Sequence, residues 1–126
     1  MTNYSPKISF LLAESENHVR EAIRLMIEFQ EGLEIVGEAS STESLLVQAC
    51  KQPPDIILLD WNLTATHHQR LVTALRKCCP DAVIIAMSIR TESQKTALEM
   101  GVDAFLLKNL PPEEFIEAIL IAASKN

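Results

Sequence analysis

The sequence predicts an α/β fold: a doubly wound, five-stranded parallel sheet with helices on both faces. Short apolar runs of strand length alternate five times with stretches whose apolar residues recur at helical spacing. The third run, Asp55 to Asp60 (DIILLD), is apolar throughout its interior, as a strand buried on both faces must be. A length of 126 residues with 48% hydrophobic content suits one domain, residues 1–126 with a core over about 7–122.

Lys7 to Ala13 (KISFLLA) forms the first strand, and Val19, Ala22, Ile23, Met26 and Ile27 then mark the inner face of an amphipathic helix. After Gly32, Glu34 to Ala39 (EIVGEA) reads as the second strand. Ser41 to Gln52 reads as a helix that turns Leu45, Leu46 and Ala49 inward. Pro53-Pro54 ends it, because proline lacks the amide hydrogen and clashes with the preceding turn. The central strand over 55–60 follows. A less regular helix with Val72 and Leu75 inward stops at Cys79-Pro80, before the strand Ala82 to Met87 (AVIIAM). Thr91 is the expected cap of a fourth helix that runs to Met100 with Gly101 as its stop, and Asp103 to Leu107 (DAFLL) is the fifth strand. Pro111-Pro112-Glu113-Glu114 opens the last helix: proline is tolerated in a first turn and acids suit its positive end. Phe115, Ile116, Ile119 and Leu120 form its apolar stripe.

Right-handed crossovers on both faces give the strand order 2-1-3-4-5, of flavodoxin-like type. Such sheets bind ligands outside the carboxyl ends of their strands, where the strand order reverses. The first strand ends in Glu14-Ser15-Glu16, the third in Asp60, the fourth in Ser88 and the fifth in Lys108. Acids, a hydroxyl and an ammonium therefore share one rim. Carboxylates there suit Mg²⁺, which takes one or two of them and completes its shell with water and phosphate oxygens. Ser88 offers a hydrogen bond to a phosphoryl oxygen and Lys108 a point charge, so the set suits phosphoryl transfer to Asp60. Taken singly, each residue also has an ordinary use: Asp60 as a turn cap, Ser88 as a turn hydroxyl, Lys108 as a solvated amine, Glu14 and Glu16 as first-turn acids. Their order on successive strand ends is what distinguishes the set.

Several function classes are disfavoured. A net charge of −6 provides no electrostatic footprint for direct contact with nucleic acid or anionic lipid. No apolar run reaches the roughly 18 to 20 residues of a membrane span, and the polar start Met1 to Lys7 does not resemble an export signal, so a cytoplasmic location is expected. Three cysteines, Cys50, Cys78 and Cys79, lack metal-ligand spacing and read as reduced thiols rather than a disulfide framework. The three glycines, Gly32, Gly37 and Gly101, leave no phosphate-cradling loop after the first strand, which argues against nucleotide or flavin binding. Ser88 with His67 or His68 lacks the nucleophile elbow of a hydrolase, since its surroundings read Ala86-Met87-Ser88-Ile89-Arg90. His67 and His68, adjacent on a helix, point in different directions and read as solvated rim residues. Trp61 reads equally as a rim or a core residue.

Lys7 to Arg20 (KISFLLAESENHVR), Val36 to Ala39 (VGEA), Pro54 to Leu63 (PDIILLDWNL) and Gly101 to Phe115 (GVDAFLLKNLPPEEF) resemble the receiver domain of two-component response regulators. The likeness runs over about Lys7 to Ala122. It implies that Asp60 is the phosphoacceptor, that Glu14, Asp60 and the backbone carbonyl of Asn62 hold Mg²⁺, and that Ser88 and Phe105 form the switch beside Lys108. The donor so implied is a histidine kinase or phosphotransfer protein. The output surface is the fourth helix, fifth strand and fifth helix, facing an effector or a second copy. Such a domain is not an enzyme beyond its own phosphorylation and dephosphorylation.

The chain departs from that pattern at informative positions. The family places two adjacent acids at the end of the first strand, and here those positions are Glu14 and Ser15. A serine cannot supply the missing charge, so Mg²⁺ binding is expected to be weakened, with Ser15 itself or Glu16 as the further candidate ligand. Leu63-Thr64-Ala65 replaces the usual turn after the acceptor, Asn109 replaces a proline, and Phe105 has no hydroxyl. The sequence thus supports a phosphorylated receiver first. The alternative is a degenerate receiver that acts as a phosphorylation-independent interaction module, and either could be a stand-alone regulator or part of a longer protein.

Overall fold

The computed structural model describes residues 6–124, so the expectations for Met1 to Ser5 and for the tail residues Lys125 and Asn126 lie outside the described residues. The elements follow in the order β1 (Ile8–Ala13), α1 (Asn17–Glu28), β2 (Leu33–Ala39), α2 (Thr42–Lys51), β3 (Ile56–Asp60), a 3₁₀ turn (Trp61–Leu63), α3 (His68–Cys78), β4 (Val83–Ser88), α4 (Ser93–Glu99), β5 (Ala104–Leu107) and α5 (Pro112–Ala123). All strand pairs are parallel and the order is β2-β1-β3-β4-β5, as the sequence predicts. The order reverses between β1 and β3, which opens the crevice at their carboxyl ends.

The sheet divides the core into two. On one face Leu11, Ile57, Leu59 and Ile84 meet Leu45 and Ala49 of α2, Leu71 and Leu75 of α3 and Ala97 of α4. On the other, Phe10, Leu12, Leu58 and Ile85 meet Ile23 and Ile27 of α1 and Phe115 and Ile119 of α5. Alternate residues of β1 and β3 thus enter opposite cores, the period-2 signature of a strand covered on both sides. β3 and β4 are buried at every position, which makes them the rigid floor of the rim.

Helix boundaries follow local chemistry. The Ser41 hydroxyl caps α2 by accepting from the Ser44 amide at 3.1 Å. Gly101, at φ +103°, ends the α4 segment in the left-handed region where a side chain would be strained. The Asp103 carboxylate accepts from the Ile84 amide at 2.8 Å and pairs with Arg76 at 2.6 Å, tying the start of β5 to β4 and α3.

Four expectations are corrected. Thr91 does not cap α4: Glu92 stands at the cap position without a side-chain bond among the described residues, and Thr91 lies in the preceding turn, where its carbonyl accepts from Gln94. Leu120 is exposed and Ala122 takes the inner position, because the inner stripe of α5 runs 115, 116, 119, 122. Ala22 of α1 is likewise exposed, with Ile23 and Ile27 carrying the burial. The cysteines are not all free: Cys50 and Cys78 form a disulfide with Cα atoms 4.8 Å apart, while Cys79 is free and buried. Spacing along the chain could not show this, because the pairing arises from two crossovers that lay α2 and α3 side by side on one face of the sheet.

Candidate functional site

Parallel register brings the carboxyl ends of β1, β3, β4 and β5 to one edge. Ala13 pairs with Leu59 and Asp60 with Met87, so Glu14 and Asp60 are each carried just past neighbouring strand positions. Ser88 pairs with Leu107, and the Lys108 amide donates to the Ser88 carbonyl at 3.0 Å, which fixes the start of the Lys108 side chain. Glu14, Asp60 and Ser88 are the buried polar or charged residues among those described. They are the residues that the strand ends predicted.

Lys108 joins the two acids. Its Nζ donates to Asp60 Oδ1 at 2.8 Å and lies 2.8 Å from Glu14 Oε1. At that distance Glu14 Oε1 is paired with the ammonium, and it has no other partner among the described residues. Glu14 Oε2 accepts from the Glu16 amide at 3.2 Å. Burial dominates the Glu14 carboxyl and holds it above the usual range, with the Asp60 charge adding to the rise and Lys108 opposing it. For Lys108, burial pulls its proton affinity down. The hydrogen bonds and charges of Asp60 and Glu14 outweigh that and hold it above its ordinary value.

The two oxygens of Asp60 differ. Oδ1 accepts from Lys108 and from the Asn62 amide at 3.0 Å, which closes the 3₁₀ turn after β3. Oδ2 has one long contact among the described residues, the Ser15 hydroxyl at 3.4 Å. Two good donors therefore orient the carboxylate through one oxygen and leave the lone pairs of the other largely uncommitted.

The remaining predicted residues take varied places. Ser88 is fully buried, and its hydroxyl accepts from the Arg90 amide at 3.0 Å, which orders the turn after β4. Phe105 is half-buried and packs beside the core formed with α2, α3 and α4. Asn62, Ser15 and Glu16 are exposed, and the Glu16 side chain makes no hydrogen bond or ion pair among the described residues. His67 is exposed, with φ +64°, in the left-handed region.

Three features were not anticipated. Arg20 on α1 donates to the Glu14 carbonyl at 2.8 Å and pairs with Glu38 at 3.4 Å, anchoring the end of β1 to the helix that follows it and to β2. Its signal was only an arginine six residues beyond Glu14, too common to single out. Trp61 is buried, settling its place in the core, and stacks on His68 with ring centroids 4.2 Å apart. His68 Nε2 lies 2.6 Å from the Trp61 carbonyl, so the ring clamps the turn beside Asp60 instead of standing in solvent. A pattern of side-chain types cannot show a ring folding back seven positions onto a backbone carbonyl.

The acids suit a hard dication. Carboxylate oxygens are acceptors only, and Asp60 Oδ2, with one long contact among the described residues, keeps lone pairs that a cation could use. Glu14 and Asp60 are the two carboxylates brought together here, and no group of three or more His, Cys, Asp or Glu side chains gathers among the described residues. That set is sparse for Ca²⁺ but adequate for Mg²⁺, which keeps much of its water.

Comparison with known proteins bears on the family and the fold. Residues 10–120 match the family described as response regulator receiver domain. The chain is 30% identical over 126 residues to the nitrate/nitrite response regulator protein NarL of Escherichia coli K12, covering 98% of this chain and 58% of that protein. It is 30% identical over 115 residues to NarP of the same strain, covering 90% of this chain and 54% of that one. It thus spans somewhat over half the length of these relatives. Among solved structures, the receiver domain of a NarL response regulator from Mycobacterium tuberculosis superposes with a TM-score of 0.85 at 22% identity, covering 97% of this chain and all of that one. The receiver domain of AraT from Geobacillus stearothermophilus gives 0.79 at 27% identity, with 93% of each chain covered. The family match over most of the chain, on a sheet of order 2-1-3-4-5 with its acids gathered at the switch point, establishes that this protein belongs to the response regulator receiver domains of two-component signalling.

Proposed function

We propose that the domain, acting as one unit over about residues 7–122, accepts a phosphoryl group on Asp60 from a histidine kinase or phosphotransfer protein. The observation that carries the reading is the asymmetry of the Asp60 carboxylate: Oδ1 is held by Lys108 and the Asn62 amide, and Oδ2 has only a long contact with Ser15 among the described residues. Oδ2 is the nucleophile. It attacks phosphorus as the bond to the donor's imidazole nitrogen breaks, and the imidazole leaves. Lys108, already beside Asp60, balances charge on the transferred group, and Ser88, whose oxygen accepts from the Arg90 amide, keeps its hydroxyl proton to donate to a phosphoryl oxygen.

Glu14 and Asp60 would hold Mg²⁺, with the Asn62 carbonyl and either Ser15 or Glu16 completing the protein's share. The ion supplies charge neutralisation at the phosphoryl oxygens. Ser15 in place of a second acid weakens that affinity. Phosphorylation then shifts Ser88 and Phe105 and alters the surface of α4, β5 and α5, where Leu98, Leu120 and Ile121 stand exposed for an effector or a second copy. A phosphohistidine donor is charged from ATP, which places the reaction in the cytoplasm. No helix among the described residues is long and apolar enough to cross a membrane.

The second reading, a receiver that binds partners without chemistry, is favoured by Ser15 in place of an acid and by the departures at Leu63-Thr64-Ala65, Asn109 and Phe105. Intact mass after incubation with Mg²⁺ and a small-molecule phosphodonor separates the two, with Asp60→Asn alongside. A metal-dependent adduct on the wild type that vanishes in the variant supports phosphoryl acceptance. An unmodified, folded wild type beside a responsive control receiver supports the binding module.

A further inference from the structure

The disulfide joins two helix ends remote from the rim. Cys50 lies in the last turn of α2 and is exposed; Cys78 closes α3 and is half-buried. Their Cα atoms are 4.8 Å apart, inside the range that a disulfide spans without backbone movement. The bond closes a loop over a sequence separation of 28 that contains all of β3, the 3₁₀ turn and α3. The third cysteine is set apart: Cys79 is buried, its thiol donates to the Ala49 carbonyl at 3.3 Å, and burial raises its pKa.

The core beneath has contacts of its own besides the bridge. Leu45 and Ala49 of α2 pack with Leu71 and Leu75 of α3, contacts that involve no sulfur of the bridge, and the Cys79 to Ala49 contact adds a second tie at the same place. Both forms can therefore keep the fold. Cys50 is an exposed residue and so is open to an incoming thiolate, where a buried disulfide would be protected.

We propose that Cys50 and Cys78 are a reversible thiol–disulfide site that responds to small-molecule thiols and disulfides. In oxidation, the Cys50 thiolate attacks a disulfide such as oxidised glutathione, forming a mixed disulfide and releasing one glutathione thiolate. The Cys78 thiolate then attacks the Cys50 sulfur, closes the bridge and releases the second. Two protein thiols are oxidised and one glutathione disulfide is reduced to two thiols. Reduction runs the same steps backwards, with the sulfur of the exposed residue Cys50 taking the attack. This proposal is independent of phosphoryl chemistry at Asp60.

The test equilibrates the purified chain with reduced or oxidised glutathione, quenches with acid, alkylates under denaturing conditions and reads intact mass. One alkylated cysteine in the oxidised arm and three in the reduced arm are expected. Peptide mapping of the wild type should locate the bridge between residues 50 and 78, and Cys50→Ser and Cys78→Ser should each lose it while Cys79→Ala retains it. The bridged form should melt about 5–10 °C above the reduced form, which keeps its native circular dichroism. Three free thiols after oxidation, a persistent glutathione adduct, a bridge mapped to Cys78 and Cys79 or between chains, a bridge that excess reduced glutathione leaves intact, or an unfolded reduced form would each overturn the proposal.

Discussion

The ammonium of Lys108 lies 2.8 Å from Asp60 Oδ1 and 2.8 Å from Glu14 Oε1, so one cation serves two buried acids. Removing it leaves two carboxylates facing each other in a poorly solvated site. Lys108→Met should lower unfolding free energy by about 1–3 kcal/mol, less than a fully buried pair would cost because the lysine keeps some solvent. Urea denaturation measures this, and an unchanged midpoint and slope would show that the bridge contributes nothing net.

The same bridge sets an alkaline limit. Lys108 is held above its ordinary 10.5 in the folded state, so its contribution is complete below that value and fades as pH rises through the folded value. The stability difference between wild type and Lys108→Met should stay constant from neutral pH to about 10 and then shrink. A difference that grows with pH would contradict the sign.

Glu14 works in the opposite sense. Its carboxyl sits above the ordinary 4.5, chiefly through burial, so the folded state prefers it protonated and its ionisation costs stability at neutral pH. Glu14→Gln should therefore melt higher than wild type at pH 7, with the advantage disappearing as pH falls toward 4.5. The variant should also lose Mg²⁺ affinity. Thermal melts across pH and calorimetric titration with Mg²⁺ test the two halves separately.

Ser15 follows Glu14, the acid proposed to hold Mg²⁺, and its hydroxyl reaches Asp60 only at 3.4 Å. Ser15→Asp should tighten Mg²⁺ binding by about tenfold, the order expected from one added anionic oxygen ligand in a half-exposed site. Fluorescence of Trp61, the single tryptophan, placed next to Asp60, provides the titration signal. Equal affinities in the two proteins would show that Ser15 does not limit the site.

Leu58, at the centre of β3, is fully buried between α1 and α5. Leu58→Ala should cost about 2–5 kcal/mol by removing apolar burial and leaving a cavity. Chemical denaturation tests it, and a loss under 1 kcal/mol would imply that the core collapses around the gap.

The alternation of elements, the strand order and the rim on which Glu14, Asp60, Ser88 and Lys108 meet were legible in the residues alone. Periodicity is a local property, and layer packing with right-handed crossovers admits few arrangements of five such units. Local chemistry also sufficed at Ser41, Gly101 and Pro112, where a hydroxyl, a positive φ or a missing amide ends or starts a helix. Packing between elements is what lets Lys108 bridge both acids, Arg20 hold the Glu14 carbonyl, His68 fold onto Trp61 and Cys50 find Cys78. Each of these depends on a distance of a few ångströms between side chains on different elements. Such distances follow from how helices seat against the sheet, and no spacing along the chain encodes them.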